Sequence, residues 1–481
     1  MRFLISSFPF AGHFNPIQPI VKELVRRGHE VLWITGRDYE ARVTSLGADF
    51  YPMSEEALIH DYEDWEPVRG STGFSALSAV LRRVFIDRIV PRVRDYQAAV
   101  KTFPADLLLV DFRPAGAHTF CDLTGIPYAT LGVNPLVTPD SEVPPWGTRE
   151  LPPRTPVGRL WNALRHSLGN WLVHGKLIAA LNERRVELGL PRLPPNTSFY
   201  RIMQSDMLHI MMTTPAFEFP RAHFRPSVKF VGPLLPSDDD IRFVPPPWWK
   251  DLLAHPRERV VHVTQSTVHA EDASLIESAV LALADRCDLL VVVTGGGAAN
   301  IFKGCEHHGS IGEGDVAKMH KPANVRVAPF IPHPKLLPHV GVMVTNAGYN
   351  GVLTALACGV PIVCAGRTED KPDVSSRIAW VGAGVDLRTD KPTVSALRKA
   401  VLEVLAEPRY HEAARRIQID FAKHNGAVEA ANELERAVKR VEAHRETSTI
   451  NRVDGEGRML RCSQTLHKGG NTGQRRTRGS S

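Results

Sequence analysis

The sequence predicts an α/β protein built on parallel, doubly wound sheets. Short apolar segments alternate with segments whose apolar residues recur at helical spacing. Glycine-containing turns follow several of the apolar segments, as they do where a strand feeds directly into a helix. The chain has 481 residues, 43% hydrophobic and 23% charged, enough for two or three domains that each bury a core.

The elements follow in order. Residues 2–7 are short and apolar and form the first strand; the loop 10–16 follows. Ile17, Ile20, Val21 and Leu24 share one helical face, Gly28 stops that helix, and residues 31–35 form the second strand. Residues 107–110 are a strand ending at Asp111. Residues 55–201 include an insertion rich in helix and proline. Eight prolines between Pro215 and Trp249 mark an interdomain linker. The expected organisation is a first domain at 1–232, a linker at 233–247, a second domain at 248–443 and a tail at 444–481. In the second domain, Gly295-Gly296-Gly297 is a structural loop, and the strand 342–344 runs through Thr345-Asn346-Ala347-Gly348-Tyr349-Asn350-Gly351 into a helix at 352–358.

Composition excludes several classes. No apolar run approaches the ~18 residues of a membrane span. The stretch after Arg2 breaks at Pro9 and has no small-x-small cleavage site, so it is a strand rather than a signal peptide. Six cysteines without paired spacing suit free thiols in a cytoplasmic setting. The net charge of +6 lies mostly in the tail, where residues 445–481 hold eight basic and three acidic residues. That segment has little to bury and is expected to be disordered. Basic tails suit anionic lipid or nucleic acid as well as solvent; a solvated extension is expected, with peripheral membrane contact left open and no nucleic-acid motif present.

The turn at 345–351 carries the first functional signal. A strand, a small turn and a helix start point backbone N–H groups and the positive end of a helix dipole at one spot, which suits a diphosphate. Phe330, about 20 residues upstream at a strand end, could lie flat on a base, with His333 beside it. The Asn350 amide and the Thr267 hydroxyl add hydrogen-bonding groups. Together they outline a nucleotide-sugar pocket.

Gly12-His13-x-x-Pro16 after the first strand, Phe230-Val231-Gly232-Pro233-Leu234 and residues 261–267 resemble, in order, motifs of the family 1 glycosyltransferases. So do Gly359-Val360-Pro361, residues 368–372 and Gly382-Ala383-Gly384-Val385. The resemblance spans residues 1–430 and is nearest the bacterial natural-product and fungal sterol glucosyltransferase branch. It implies the GT-B fold, two Rossmann-like domains facing a cleft, with closing helices after Pro408 that pack back on the first domain. It also implies an acceptor lining in the helical insertion and donor contacts at Asn346, Ala347, Gly348, Gly351 and Thr354, with Asp370 and Lys371 on sugar hydroxyls.

The chemistry asks for matching parts. An alcohol attacks an anomeric carbon only when a base takes its proton; histidine suits that work if a carboxylate fixes its tautomer. His13 is the expected base and Asp111 its orienting carboxylate. Asn346 stands where many relatives carry His, Thr354 where a Glu often binds ribose, and Ser266 in place of a Gly; these differences leave UDP and dTDP both open. Asp238-Asp239-Asp240 matches an Asp-x-Asp metal motif but sits between prolines, and Cys305-Glu306-His307-His308 lacks a second ligand pair. The expectation is an inverting, metal-independent glycosyltransferase without a cofactor, acting on a small lipophilic acceptor. A nucleotide-sugar epimerase of the same fold and a non-catalytic nucleotide-sugar-binding helper are the alternatives.

Overall fold

The first strand, β1 (Arg2–Ser6), is buried along nearly its whole length, as its apolar run requires of a strand covered on both faces. It pairs in parallel with β2 (Glu30–Thr35) on one side and β4 (Leu107–Val110) on the other. With β3 (Asp49–Pro52), β5 (Tyr128–Gly132), β6 (His209–Met211) and β7 (Val228–Phe230) these make an all-parallel sheet of order β3-β2-β1-β4-β5-β6-β7. The computed structural model describes residues 1–58, 73–111, 115–194, 197–236, 243–265, 273–295 and 321–453.

A second parallel sheet has the order β10-β9-β8-β11-β12-β13. Its strands are β8 (Val260–Thr264), β9 (Leu290–Thr294), β10 (Val325–Ala328), β11 (Val342–Thr345), β12 (Ile362–Cys364) and β13 (Gly384–Asp386). Helices cover both sheets, giving the two Rossmann-like halves that the alternation of segments predicts. Both lie within one compact unit, Met1–Ala437.

The helix Ala11–Arg26 begins earlier than the sequence suggested: residues expected in a loop, His13 among them, form its first turns. Its apolar face is as expected, with Ile17, Ile20, Val21 and Leu24 fully buried. Each such side chain contributes on the order of 1.5–3 kcal/mol. Phe14 adds a ring stacked on Trp33 at 4.3 Å. Gly28, at φ +81°, ends the helix in the left-handed region that glycine alone enters freely.

The closing helix Gly426–Val453 docks its first turns on the first domain: Arg27 Nη1 donates to Asn432 Oδ1 at 2.8 Å, and His29 Nε2 lies 2.8 Å from Glu435 Oε1. This helix runs to Val453, ten residues into the segment 444–481 expected to be a disordered tail. Composition alone undercounts how cheaply a nucleated helix propagates. Residues 454–481 lie outside the described residues, as does Asp238–Asp240 in the linker. No described helix is long and apolar enough to cross a membrane.

Candidate active site

Open parallel sheets place ligands at the carboxyl ends of strands where the strand order reverses. In the first sheet that point lies between β1 and β4, which pair with Ser6 opposite Val110. His13 follows β1 and Asp111 ends β4, so topology brings together two residues 98 positions apart. His13 Nδ1 is 2.8 Å from Asp111 Oδ2. The carboxylate side chain is 1% exposed and the imidazole 20%. With Nδ1 held by the carboxylate, base chemistry from this ring runs through Nε2. Phe8 and Phe10 flank the imidazole at ring distances of 6.0 and 6.4 Å.

In the second sheet the order reverses between β8 and β11, which pair with Thr345 opposite Thr264. The turn Asn346–Gly348 leaves β11 there, and Gly348 caps the helix Tyr349–Ala357 without any side-chain cap bond. The first N–H groups of that helix have no intrahelical acceptor and are offered to an incoming anion. Asn346 and Ala347 are buried, and Ala347 holds φ at +67°, which explains why glycine suits this position.

Asn350 sits differently from expectation. Its Nδ2 donates to the backbone carbonyl of Gly12 at 2.8 Å, and its buried Oδ1 has no hydrogen-bond partner among the described residues. Pro16, inside the first helix, lacks the N–H that would otherwise reach the Gly12 carbonyl. One domain thus supplies the donor that a proline removes from the other.

Phe330 is 77% exposed just past β10, open to a flat ligand. His333 is half-buried, edge-on to the fully buried His262 at 5.3 Å. Burial pushes His333 down to about 4 and His262 well below its usual range. His333 is therefore neutral near pH 7 and brings no charge to a diphosphate. Gly351 faces it: a Cβ there would stand 3.5 Å from His333 Cε1. Thr354 is buried and its hydroxyl donates to the Asn350 carbonyl at 2.8 Å, leaving only acceptor capacity for a ribose. Thr267 lies outside the described residues, as do Ser266, Gly296, Gly297 and Cys305–His308.

Asp370 precedes the helix Lys371–Val381 and makes no cap bond. Burial raises its carboxyl to about 7, the charge of Glu369 adds to the rise, and Lys371 partly offsets it. Lys371 is buried, with Nζ donating to Glu369 Oε2 at 2.7 Å and Thr368 Oγ1 at 3.0 Å, so it serves its own loop first. Among the described residues no group of three His, Cys, Asp or Glu could hold a metal.

Sequence reasoning missed the polar layer that joins the domains beside this loop. Arg377 Nε donates to Glu218 Oε1 at 2.6 Å, both side chains fully buried, and the guanidinium lies 4.2 Å over the Phe219 ring. Glu218 Oε2 accepts from Leu136 N at 3.0 Å. Asp373 Oδ2 accepts from the Gly147 N–H at 2.8 Å, and burial raises its carboxyl to about 6. Arg377 lies outside every motif, and no spacing in the chain links it to Glu218.

The family model described as erythromycin biosynthesis protein CIII-like, C-terminal domain, matches residues 310–437. The 4'-demethylrebeccamycin synthase of Lentzea aerocolonigenes is 37% identical over 441 residues, covering 90% of this chain and 99% of that one. UDP-glucosyltransferase A1 of Starmerella bombicola is 29% identical over 92% of each chain. Among solved structures, the calicheamicin glycosyltransferase CalG4 matches with a TM-score of 0.65 at 22% identity, over 92% of this chain and 98% of that one. The glycotransferase of kitacinnamycin matches with a TM-score of 0.65 at 20% identity, over 91% and 98%. At such identities the likeness is one of fold.

Proposed function

Starting from the fact that this chain belongs to the family 1, UDP-glycosyltransferase-like glycosyltransferases of GT-B fold, we propose an inverting, metal-independent transfer. The donor is a UDP- or dTDP-linked hexose and the acceptor a hydroxyl of a small lipophilic molecule. The observation that carries this reading is the His13 Nδ1–Asp111 Oδ2 bond at the cleft.

In this mechanism the acceptor hydroxyl passes its proton to His13 Nε2 as its oxygen attacks the anomeric carbon. Asp111 holds the ring in the tautomer with hydrogen on Nδ1 and stabilises the imidazolium that forms. The bond from the anomeric carbon to the diphosphate oxygen breaks on the opposite face, which inverts the centre. A nucleoside diphosphate leaves without a general acid. Its charge is met by the N–H groups at the start of the helix Tyr349–Ala357 and its dipole. Phe330 stacks on the base and Asp370 accepts from sugar hydroxyls. No cofactor is needed, and a cytoplasmic setting suits both co-substrates.

The test is nucleoside diphosphate release by the full chain with each common donor, with and without a mixed acceptor library. Acceptor-dependent release that survives EDTA is expected. Release without any acceptor-glycoside product would favour a hydrolase, and conversion of the donor to an isomeric nucleotide sugar without net release would favour an epimerase. No release from any donor, with donor binding intact, would favour a non-catalytic helper. Loss of turnover in EDTA, restored by a divalent ion, would overturn metal independence.

A further inference from the structure

The helix Pro156–Gly169 is built the opposite way from a surface helix of a water-soluble domain. Thr155 caps its start by accepting from the Gly158 N–H, and Pro156 occupies the first turn. The side that meets the protein is polar: Asn162 Nδ2 donates to the Ser141 carbonyl at 3.3 Å, and His166 Nε2 lies 2.9 Å from the Val143 carbonyl. The side that meets water is apolar. Val157, Leu160, Trp161, Leu164 and Leu168 recur at three- and four-residue steps, and Trp171 continues the row one turn on. All six are between 48% and 76% exposed. At 3.6 residues per turn the five within the helix span an arc of roughly 100°, pointing away from Asn162 and His166. A contiguous strip of this kind on a soluble protein marks an interaction surface.

The charges around the strip select its partner. Between Glu150 and Glu183 there is no acidic residue, while Arg154, Arg159, Arg165 and Lys176 are all basic. Arg159 and Arg165 pair with Glu142 and Glu150. Arg154 and Lys176, exposed beyond the two ends of the helix, make no ion pair among the described residues. Two tryptophans, an aliphatic ridge and basic ends are the make-up of a helix that lies in a lipid–water interface. The helix is about 21 Å long at 1.5 Å per residue, too short to span a bilayer. A second copy of the same face, packed antiparallel, would set Arg154 against Lys176 of its mate, which repels. A small acceptor would cover only part of the strip.

We infer that the helix Pro156–Gly169 and the turn after it dock the protein on an anionic lipid surface, with Val157, Leu160, Trp161, Leu164, Leu168 and Trp171 in the acyl boundary and Arg154 and Lys176 at the headgroups. The inference is independent of the transfer reaction above.

The experiment is co-sedimentation of the full chain with phosphatidylglycerol vesicles and with phosphatidylcholine vesicles. Binding to the anionic vesicles, weakening as salt rises, is expected. The double change Trp161→Ser with Trp171→Ser should weaken binding at least about tenfold, since each ring loses its apolar burial. Arg154→Glu with Lys176→Glu should remove the preference for phosphatidylglycerol. Melting temperatures of both double variants should match the parent or exceed it, because these side chains face solvent. Absence of vesicle binding by the parent chain would overturn the inference. So would binding that survives the tryptophan changes, which would assign it to the basic C-terminal residues. A parent dimer that the serine variant converts to monomer would assign the strip to a second copy. A raised acceptor KM in the serine variant, with vesicle binding unchanged, would assign it to the acceptor.

Discussion

Asn350 Nδ2 donates across the cleft to the Gly12 carbonyl oxygen at 2.8 Å, in place of the helical N–H that Pro16 lacks. The bond joins the helix that carries His13 to the helix Tyr349–Ala357 of the second sheet. Asn350→Ala should lower kcat/KM roughly 2- to 10-fold, the range of one neutral hydrogen bond. Adding Pro16→Ala should recover most of that loss by restoring an intrahelical donor to Gly12. No recovery would mean that the Asn350 amide acts on the donor and not on Gly12.

His13→Ala should lower kcat by roughly 10²- to 10⁴-fold while donor affinity barely changes. Asp111→Asn should also lower kcat with the fold intact, because an amide cannot stabilise the imidazolium. The double variant should be little worse than His13→Ala, since the pair acts as one unit. Additive losses in steady-state kinetics would separate the two roles.

Asp370 gives a pH dependence with a defined sign. Its folded-state value, raised to about 7 by burial and Glu369, lies above the ~3.9 of an unfolded chain, so the folded protein binds more protons. The stability this carboxyl contributes is complete below about pH 4 and is lost as pH rises through about 7. Donor binding should move the other way, because only the carboxylate accepts from two sugar hydroxyls: donor KM should fall as pH rises through that range. Asp370→Asn should flatten the KM profile. A profile unchanged by that substitution would remove Asp370 from the sugar site.

Ala347 holds a left-handed φ of +67° while fully buried. Ala347→Gly should raise stability by up to about 1 kcal/mol, the relief of the Cβ clash less the entropy of a freer unfolded chain. Ala347→Val should lower it, since the added methyls meet both the backbone penalty and a closed site. Urea midpoints of the two variants that moved in the same direction would contradict this account.

Arg377 and Glu218 form a buried pair between the domains. Arg377→Met should cost about 3–5 kcal/mol, because it leaves the Glu218 carboxyl buried without its partner. Adding Glu218→Gln should recover part of the loss, because a neutral amide is cheaper to bury than an unpaired carboxylate; its single oxygen keeps an acceptor for only one of the Leu136 and Phe219 N–H groups, which the two carboxylate oxygens serve separately. Denaturation midpoints that worsened further in the double variant would show that each residue has a separate role.

Buried parallel strands must be apolar runs and the helices between them must carry one apolar face, so the doubly wound architecture is legible in local patterns such as Leu107–Val110 and the row Ile17, Ile20, Val21, Leu24. The sequence also marked His13, Asp111 and the turn at 346–348, since a strand followed by a small residue and a helix start is a local pattern. Which of these groups meet depends on packing between segments distant in the chain. Asp111 reaches His13 because β1 and β4 are neighbours, a fact of sheet order that no local spacing contains. The same packing brought Asn350 to Gly12, 338 positions away, whereas the Lys371–Glu369 and Thr354–Asn350 bonds are local, spanning two and four residues. The outward apolar face of Pro156–Gly169 followed the same rule: helical periodicity is local, but which side of a helix meets water is settled by what the rest of the chain packs against it.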